Sequence, residues 1–294
     1  MHSSAQTYCK ARAEDKDHDT GVRLAVRHCL EKTGERAPAA ICEDCGHVHR
    51  EPSSDWVGLC SKCNSNNTRL RANHFFQWLS DDKNKNRYTL VRTVVWYLDS
   101  YKESSEKTVI LADGSPAVEL WFRFELSLIS PDGVPYRLTG HLDRLTDFAN
   151  SRWFQDIKTT KSTLNENFFA KFSPDNQMSQ YTAGGKIVFD EPIVGGIIDA
   201  AQVAVGFTKF QRGLVQRTPA QIDEWLKDIE YWIKQAERYA ADGYWPMNDT
   251  ACHHFGGCDF RDVCNKDPAI RRQKLETHFK KQVWDPLIER GEDF

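Results

Sequence analysis

No uninterrupted apolar run in this chain approaches the roughly 20 residues that a bilayer-spanning helix requires. Its first residues, Met1-His2-Ser3-Ser4-Ala5, lack the basic start and apolar stretch of an export signal. Both absences lead to the expectation of a soluble, cytoplasmic protein with no membrane partner. A basic excess is missing as well. Net charge is −3, whereas a nucleic-acid-binding domain often announces itself by a high isoelectric point. Any contact with nucleic acid then needs a local positive surface, for which Lys158, Lys161, Lys171, Lys186, Lys209, Arg212 and Arg217 are candidates. No G-x-G-x-x-G follows a strand-like segment, which removes the usual fingerprint of a dinucleotide or flavin redox enzyme. Internal repeats and low-complexity tracts are absent too.

Cysteine is plentiful, and its grouping is informative. Nine cysteines in a chain without an export signal argue against a disulfide framework and for metal. Cys42-Glu43-Asp44-Cys45 and Cys60-Ser61-Lys62-Cys63, fourteen residues apart, have zinc-ribbon spacing. Each C-x-x-C forms a knuckle presenting two thiolates, and two knuckles close a tetrahedral Zn²⁺ site with no open position, so this zinc would be structural. Gly46 suits the tight turn after the first knuckle. Cys252, Cys258 and Cys264 form a second set in a loop-rich segment with Phe255, Gly256, Gly257 and Phe260.

The remainder reads as an α/β chain with a mixed sheet. Residues 3–32 have helical spacing, with Ala25, Val26, Cys29 and Leu30 on one side. Arg87–Tyr101 is also helical, with Leu90, Val94, Val95 and Leu98 as its buried stripe. Ala117–Ile129 alternates Val118, Leu120, Phe122, Phe124 and Leu126 with charged residues, the pattern of a half-buried strand. Pro131-Asp132-Gly133 is a turn, because proline fixes φ and glycine permits a positive one. Tyr136–Asp147 and Arg152–Lys158 read as two further strands. Residues 164–188 look helical with a break near Pro174, Ile193–Phe207 is a buried strand, and Pro219–Asp242 is an amphipathic helix.

Gly140-His141-Leu142-Asp143-Arg144 lies in the second of these strands, and Asp156-Ile157-Lys158 ends the third. Phosphodiester hydrolysis needs a divalent cation to polarise the phosphate and to lower the pKa of an attacking water. Hard ions such as Mg²⁺ prefer carboxylate oxygens and keep several waters, so two acidic side chains can suffice. Asp156 and Lys158 stand two apart on a strand and share a face. The carboxylate can hold the ion while the ammonium stabilises the nucleophile or the developing charge, and Asp143 on the neighbouring strand completes the pocket. A bare Asp-x-Lys is common. An Asp in an apolar strand followed by a strand-terminal Asp-x-Lys and then a helix is much rarer.

GHLDR, then QDIKTTK, then QMSQY resembles the RecB/AddB-type branch of the PD-(D/E)XK nuclease superfamily. SPDNQMSQYTAGGKIVF and YWPMNDTACHHFGGCDFRDVC are most similar to its phage-encoded members. The resemblance implies a restriction-endonuclease-like core, a central mixed β-sheet flanked by helices, with the zinc ribbon inserted. It assigns catalytic roles to Asp143, Asp156 and Lys158 and to Gln177 and Tyr181 of a Q-x-x-x-Y motif, whose spacing puts the last two on one helix face. It makes His2, Asp143, Asp156 and the carbonyl of Ile157 the ligands of Mg²⁺ or Mn²⁺, with His2 favoured over His28 and His74. Members normally carry further residues before this histidine, including an early cysteine. In the family the C-terminal cysteines belong to a [4Fe–4S] staple. Three thiolates fall one short of an ordinary cubane, so Cys9 or Cys29 would have to join, and a zinc site using His253 or His254 is the alternative.

The implied organisation is an N-terminal helix of the core (1–36), an inserted zinc ribbon (37–68), the nuclease core (69–248) and a C-terminal cysteine-rich segment (249–294). The implied activity is metal-dependent hydrolysis of DNA, as an exonuclease in phage or bacterial recombination, replication or repair, with a protein partner from such a complex. The rivals are a catalytically inactive DNA-binding protein of the same fold and an iron–sulfur redox protein.

Overall fold

The charged start of the chain forms two helices, α1 (His2–Ala13) and α2 (His18–Lys32), in the computed structural model, which describes residues 1–50, 58–189, 192–250, 252–253 and 257–281. The single helix expected over 3–32 is interrupted because Asp15 takes a positive φ of 59°. Asp17 then starts α2 as its N-cap, accepting from the Thr20 backbone N–H at 2.8 Å. A three-stranded antiparallel sheet follows, made of β1 (Gly34–Cys42), β2 (Val48–Arg50) and β3 (Thr68–Gln77) in the order β2-β1-β3. Next comes α3 (Arg87–Ser100), whose first turn is closed by a reciprocal capping box between Asn86 and Thr89. Its buried face is Thr93, Val94, Tyr97 and Leu98, a turn's edge away from the expected stripe, with Val95 only half-buried.

The main sheet contains β4 (Lys107–Thr108), β5 (Val118–Ile129), β6 (Pro135–Phe148), β7 (Ser151–Thr160), β8 (Ile193–Val203) and β9 (Thr208–Gln216). Its order is β4-β6-β7-β8-β9, with β5 also paired to β6. β7 and β8 run parallel while β4–β6, β6–β7 and β8–β9 are antiparallel, so the sheet is mixed as expected. Parallel neighbours need a crossover, supplied by α4 (Glu166–Ala170) and α5 (Asn176–Phe189), with the break near Pro174 between them. β9 was not legible in the sequence. It lines the edge with alternating Lys209, Gln211 and Gly213, which reads as loop.

One face of the sheet packs on α5 through Phe122, Leu142, Phe154, Ile198, Met178 and Tyr181. The other packs on α1–α3 through Ala5, Ala25, Cys29, Val94, Leu98 and Ile157. The α5 side depends on two close approaches. A Cβ at Gly140 on β6 or at Gly184 on α5 would overlap the Phe122 ring, so the two glycines let the helix settle against the sheet.

All of these elements up to Asp223, except Leu126–Tyr136, form one compact unit. A second unit joins the tip of the β5–β6 hairpin, Leu126–Tyr136, to the chain from Glu224, including most of α6 (Pro219–Asp242), α7 (Arg261–Cys264) and α8 (Pro268–His278). Within it the Tyr136 hydroxyl donates to Glu237 Oε1 at 2.9 Å. Among the described residues no helix is long and apolar enough to cross a membrane.

Candidate metal centre

The β6–β7 ladder ends at the pair Arg144↔Gln155. Asp143 and Asp156 occupy the next rung, where the strands part. There the Ile157 backbone N–H finds no strand partner on this side and donates instead to Asp143 Oδ2 at 3.0 Å. The same carboxylate oxygen lies 3.2 Å from His2 Nδ1 at the start of α1. A fork in a sheet therefore gathers two carboxylates, an imidazole and the backbone of Ile157.

Asp156 is the most constrained member. It is 3 % exposed, and it is paired with Lys158, whose Nζ lies 3.1 Å from Oδ1 and 2.8 Å from Oδ2. The closer contact is off hydrogen-bond geometry, which leaves Oδ2 a buried acceptor without a hydrogen bond. Burial raises the Asp156 pKa, opposed by the Lys158 charge and assisted by Asp143. A buried carboxylate that one ammonium does not fully compensate suits a second positive charge. Two carboxylates, a carbonyl and one imidazole form a mainly hard donor set, matched to Mg²⁺ or Mn²⁺.

Lys158 is aimed by α5. Its Nζ donates to Gln177 Oε1 at 2.9 Å, and Gln177 Nε2 donates to the Tyr181 hydroxyl at 2.9 Å. Burial, with the charge of Asp156, pushes the Tyr181 pKa up to about 12, so its hydroxyl stays protonated. The helical i, i+4 spacing and the glycines facing Phe122 together place this relay over the lysine.

The cysteines behave differently in their two sets. The ligand atoms of Cys42, Cys45, Cys60 and Cys63 all lie within 4.8 Å of one another, with Cys42–Cys63 and Cys45–Cys60 sulfur pairs at 3.6 Å. A tetrahedron of Zn–S bonds has sulfur edges of about 3.8 Å, so the cluster fits a zinc ribbon. Gly46 (φ 69°) and Asn64 (φ 57°) turn the chain after each knuckle. By contrast, Cys252, Cys258 and Cys264 do not form a ligand group among the described residues. His254, Phe255 and Gly256 lie outside the described residues. Cys29, 2 % exposed, packs in the core beside Ala25 and Val94. Burial raises the Cys9 thiol pKa. His28 and His74 lie on α2 and β3.

Sequence reasoning missed a second buried cluster, on the opposite face of β7 and β8. Asp199, 1 % exposed, accepts from Arg212 Nε, from Gln155 Nε2 and from the Tyr97 hydroxyl, the last at 2.7 Å. Arg212 also pairs with Glu106 and lies 3.7 Å over the Tyr101 ring. Burial alone would lower the Arg212 pKa; Asp199 more than reverses this and raises it. Arg212 is thus a core cation and is corrected from the expected positive surface. Arg217 is held by Ser173 and Ser179.

Against known proteins, a comparison with curated sequences gives no match. A solved structure described as the crystal structure of SSO0001 is similar at 14 % identity over 61 % of this chain and 76 % of its own, with a TM-score of 0.30, too low to carry an argument. A family model matches residues 2–265, nearly the whole chain and all of the forked site. By that match the chain belongs to the PD-(D/E)XK nuclease superfamily.

Proposed function

We propose that this protein hydrolyses DNA phosphodiester bonds as a Mg²⁺- or Mn²⁺-dependent exonuclease, with Asp143, Asp156 and Lys158 at the reacting centre. The observation that carries the reading is the buried Asp156 carboxylate, with one oxygen lacking a hydrogen bond, beside a lysine already aimed by Gln177. His2, Asp143, Asp156 and the Ile157 carbonyl are the proposed ligands. A divalent ion held there would polarise a phosphoryl oxygen and lower the pKa of a nearby water.

The chain's own groups do the rest. Lys158 keeps its ammonium at a fixed place, where it stabilises charge that develops on the phosphoryl group. Gln177, held by Tyr181, restricts the lysine's rotamers, so little reorganisation is needed as the reaction proceeds. The ribbon's four thiolates leave no position for a substrate, so its zinc is structural in this reading. A [4Fe–4S] staple on Cys252, Cys258 and Cys264 stays part of the proposal by family resemblance only, and needs those sulfurs to be drawn together with a fourth ligand.

Resemblance supports action on ends and a place in phage or bacterial recombination, replication or repair, with a partner protein there. The test is purified protein on end-labelled linear DNA and on closed circular DNA, with and without Mg²⁺. Metal-dependent loss of the linear substrate alone is the expected result. Cutting of the circle would turn the reading to an endonuclease. No cutting of either, with DNA binding retained, would favour the inactive DNA-binding alternative.

A further inference from the structure

An open groove of ≈510 Å³ runs between α2 and the root of the ribbon sheet. Its floor is apolar, formed by Val22, Val26 and Leu30 of α2 and by the Phe75 ring of β3. Its rim is cationic: Arg23, Arg27, Arg36 and Arg87 stand around it, with Glu31 as the one carboxylate, bonded to Arg27 at 2.9 Å. Two of these guanidiniums, of Arg36 and Arg87, lie 5.7 Å from the centre of the Phe75 ring. None of these arginines was among the cations expected to make a positive surface.

The chain continues from the groove into an exposed segment. Trp78, directly after β3, is 42 % exposed and Leu79 is 87 % exposed. The backbone N–H of Trp78 is pinned to the Thr33 carbonyl at 2.8 Å. The same segment continues to Asp82, which pairs at 2.6 Å with Lys161, three residues beyond Lys158. An exposed aromatic and a lysine-paired aspartate thus follow the groove-lining strand in the chain.

We propose that this groove seats an unpaired stretch of DNA, an inference that rests on the nuclease reading above. The chemistry of the groove selects the ligand. Phosphates need cations, which a duplex could also use, but a duplex turns its bases inward and has no use for an apolar floor. Unpaired bases stack on aromatic rings and apolar side chains while their phosphates meet a basic rim. The excess of arginines over the single carboxylate provides the charge complementarity in a chain whose net charge is −3.

The test uses the full chain with its zinc, in buffer without added divalent ion so that no cutting occurs. Binding of a short labelled oligothymidylate and of a blunt duplex of equal length is followed by fluorescence anisotropy. The variant Arg23→Ala/Arg27→Ala/Arg36→Ala leaves Arg87 in place, because Arg87 holds the Thr33 hydroxyl at 3.1 Å. Single-strand affinity should fall about 10-fold or more, and the log–log salt slope should become shallower by about 2, at roughly 0.7 per lost phosphate contact. Phe75→Leu, which keeps apolar bulk over Gly34, should cost about 5-fold in the same assay by loss of stacking. Thermal melts establish that the variants are folded.

Unchanged single-strand affinity in a folded triple variant overturns the proposal, as does an equal loss on the duplex. Binding of an acidic helical peptide by the parent, with no single-strand binding, also overturns it and makes the groove a protein-docking site. Mg²⁺-dependent cleavage by the parental protein is measured alongside. A parent that cuts DNA while the triple variant binds normally removes the groove and leaves the nuclease reading standing.

Discussion

Asp156 on β7 and Asp199 on β8 lie one register step apart on parallel neighbours, since Asp156 faces Ile198 and Ile157 faces Asp199. They point to opposite faces of the sheet, and both are almost completely buried. Asp199 is fully compensated, by a guanidinium, a phenol and an amide. Asp156 has one lysine and an oxygen without a hydrogen bond. Equal burial with unequal hydrogen bonding sets the aspartate tied into the fold apart from the one proposed to hold an ion. The ribbon carries the second pattern further, because its four thiol groups gather within 4.8 Å of one another. If this comparison is right, the largest dependence on metal belongs to the ribbon, the largest dependence on a protein partner to Asp199, and Asp156 affects chemistry more than stability.

The ribbon gives the largest expected effect. Structural zinc binding in finger peptides is worth about 10–16 kcal/mol in apparent terms and appears as folding free energy. Cys42→Ser with Cys45→Ser should release one zinc per chain and abolish protection of β1–β3 amides in hydrogen exchange, while the β6–β8 amides keep theirs. Zinc retained in the double variant, measured by elemental analysis, would refute the assignment.

Next in size is Arg212→Leu. Removing one partner of a buried ion pair leaves an uncompensated charge and typically costs about 3–5 kcal/mol. Here Asp199 and Glu106 would both be stranded, so a loss of unfolding free energy of that order is expected from urea melts. A loss below about 1 kcal/mol would mean that the network is dispensable.

Asp156→Asn should do the reverse. Loss of a ligand and of the charge facing Lys158 should lower cleavage by at least about 100-fold, as removal of a single preorganised electrostatic group does elsewhere. Stability at neutral pH should be kept or increased. The sign follows from burial raising the Asp156 pKa above its ordinary 3.8. Between the unfolded and folded values the folded chain holds a proton that the unfolded chain has released, so stability falls as pH rises through that window. Asn cannot titrate and should remove this slope. Mg²⁺ should raise the melting temperature of the parent and not of the variant. An unchanged response of the variant to Mg²⁺ would place the ion elsewhere.

Much of the candidate site was legible in the sequence, and little of the Asp199 cluster. Asp143, Asp156 and Lys158 sit on strands whose alternation is plain, and the i, i+4 spacing of Gln177 and Tyr181 is a local signal. The geometry brings these together with His2. The Asp199 cluster draws on α3, β7, β8 and β9, and no local spacing connects Tyr97, Gln155, Asp199 and Arg212. β9 itself was hidden by polar residues suited to an edge strand. The arginine groove was missed for the same reason, because α2 and the root of the ribbon meet only in three dimensions. The cysteine spacing did report the ribbon, since each knuckle is a local structure. The C-terminal set has no such knuckle spacing, and its sulfurs are not grouped among the described residues.

Tyr181→Phe is the smallest expected change and the finest test of the contrast. The ring is 8 % exposed and packs edge-on against Phe122 and Phe154, and Phe retains that packing. Only the hydroxyl is lost, together with its bond from Gln177 Nε2. A neutral hydrogen bond contributes about 0.5–1.5 kcal/mol net, so stability should fall by no more than that. The amide of Gln177 would then be free to turn away from Lys158. If the hydroxyl acts by positioning, the loss should appear in kcat, by about 10-fold or less, with KM for DNA little changed. Metal affinity should be unaffected, because the hydroxyl is no proposed ligand. Gln177→Ala should lower kcat at least as far, and adding Tyr181→Phe to it should cost nothing more, since both act through the same lysine. Additive losses would show that Tyr181 reaches the substrate on its own, making it a catalytic group in its own right.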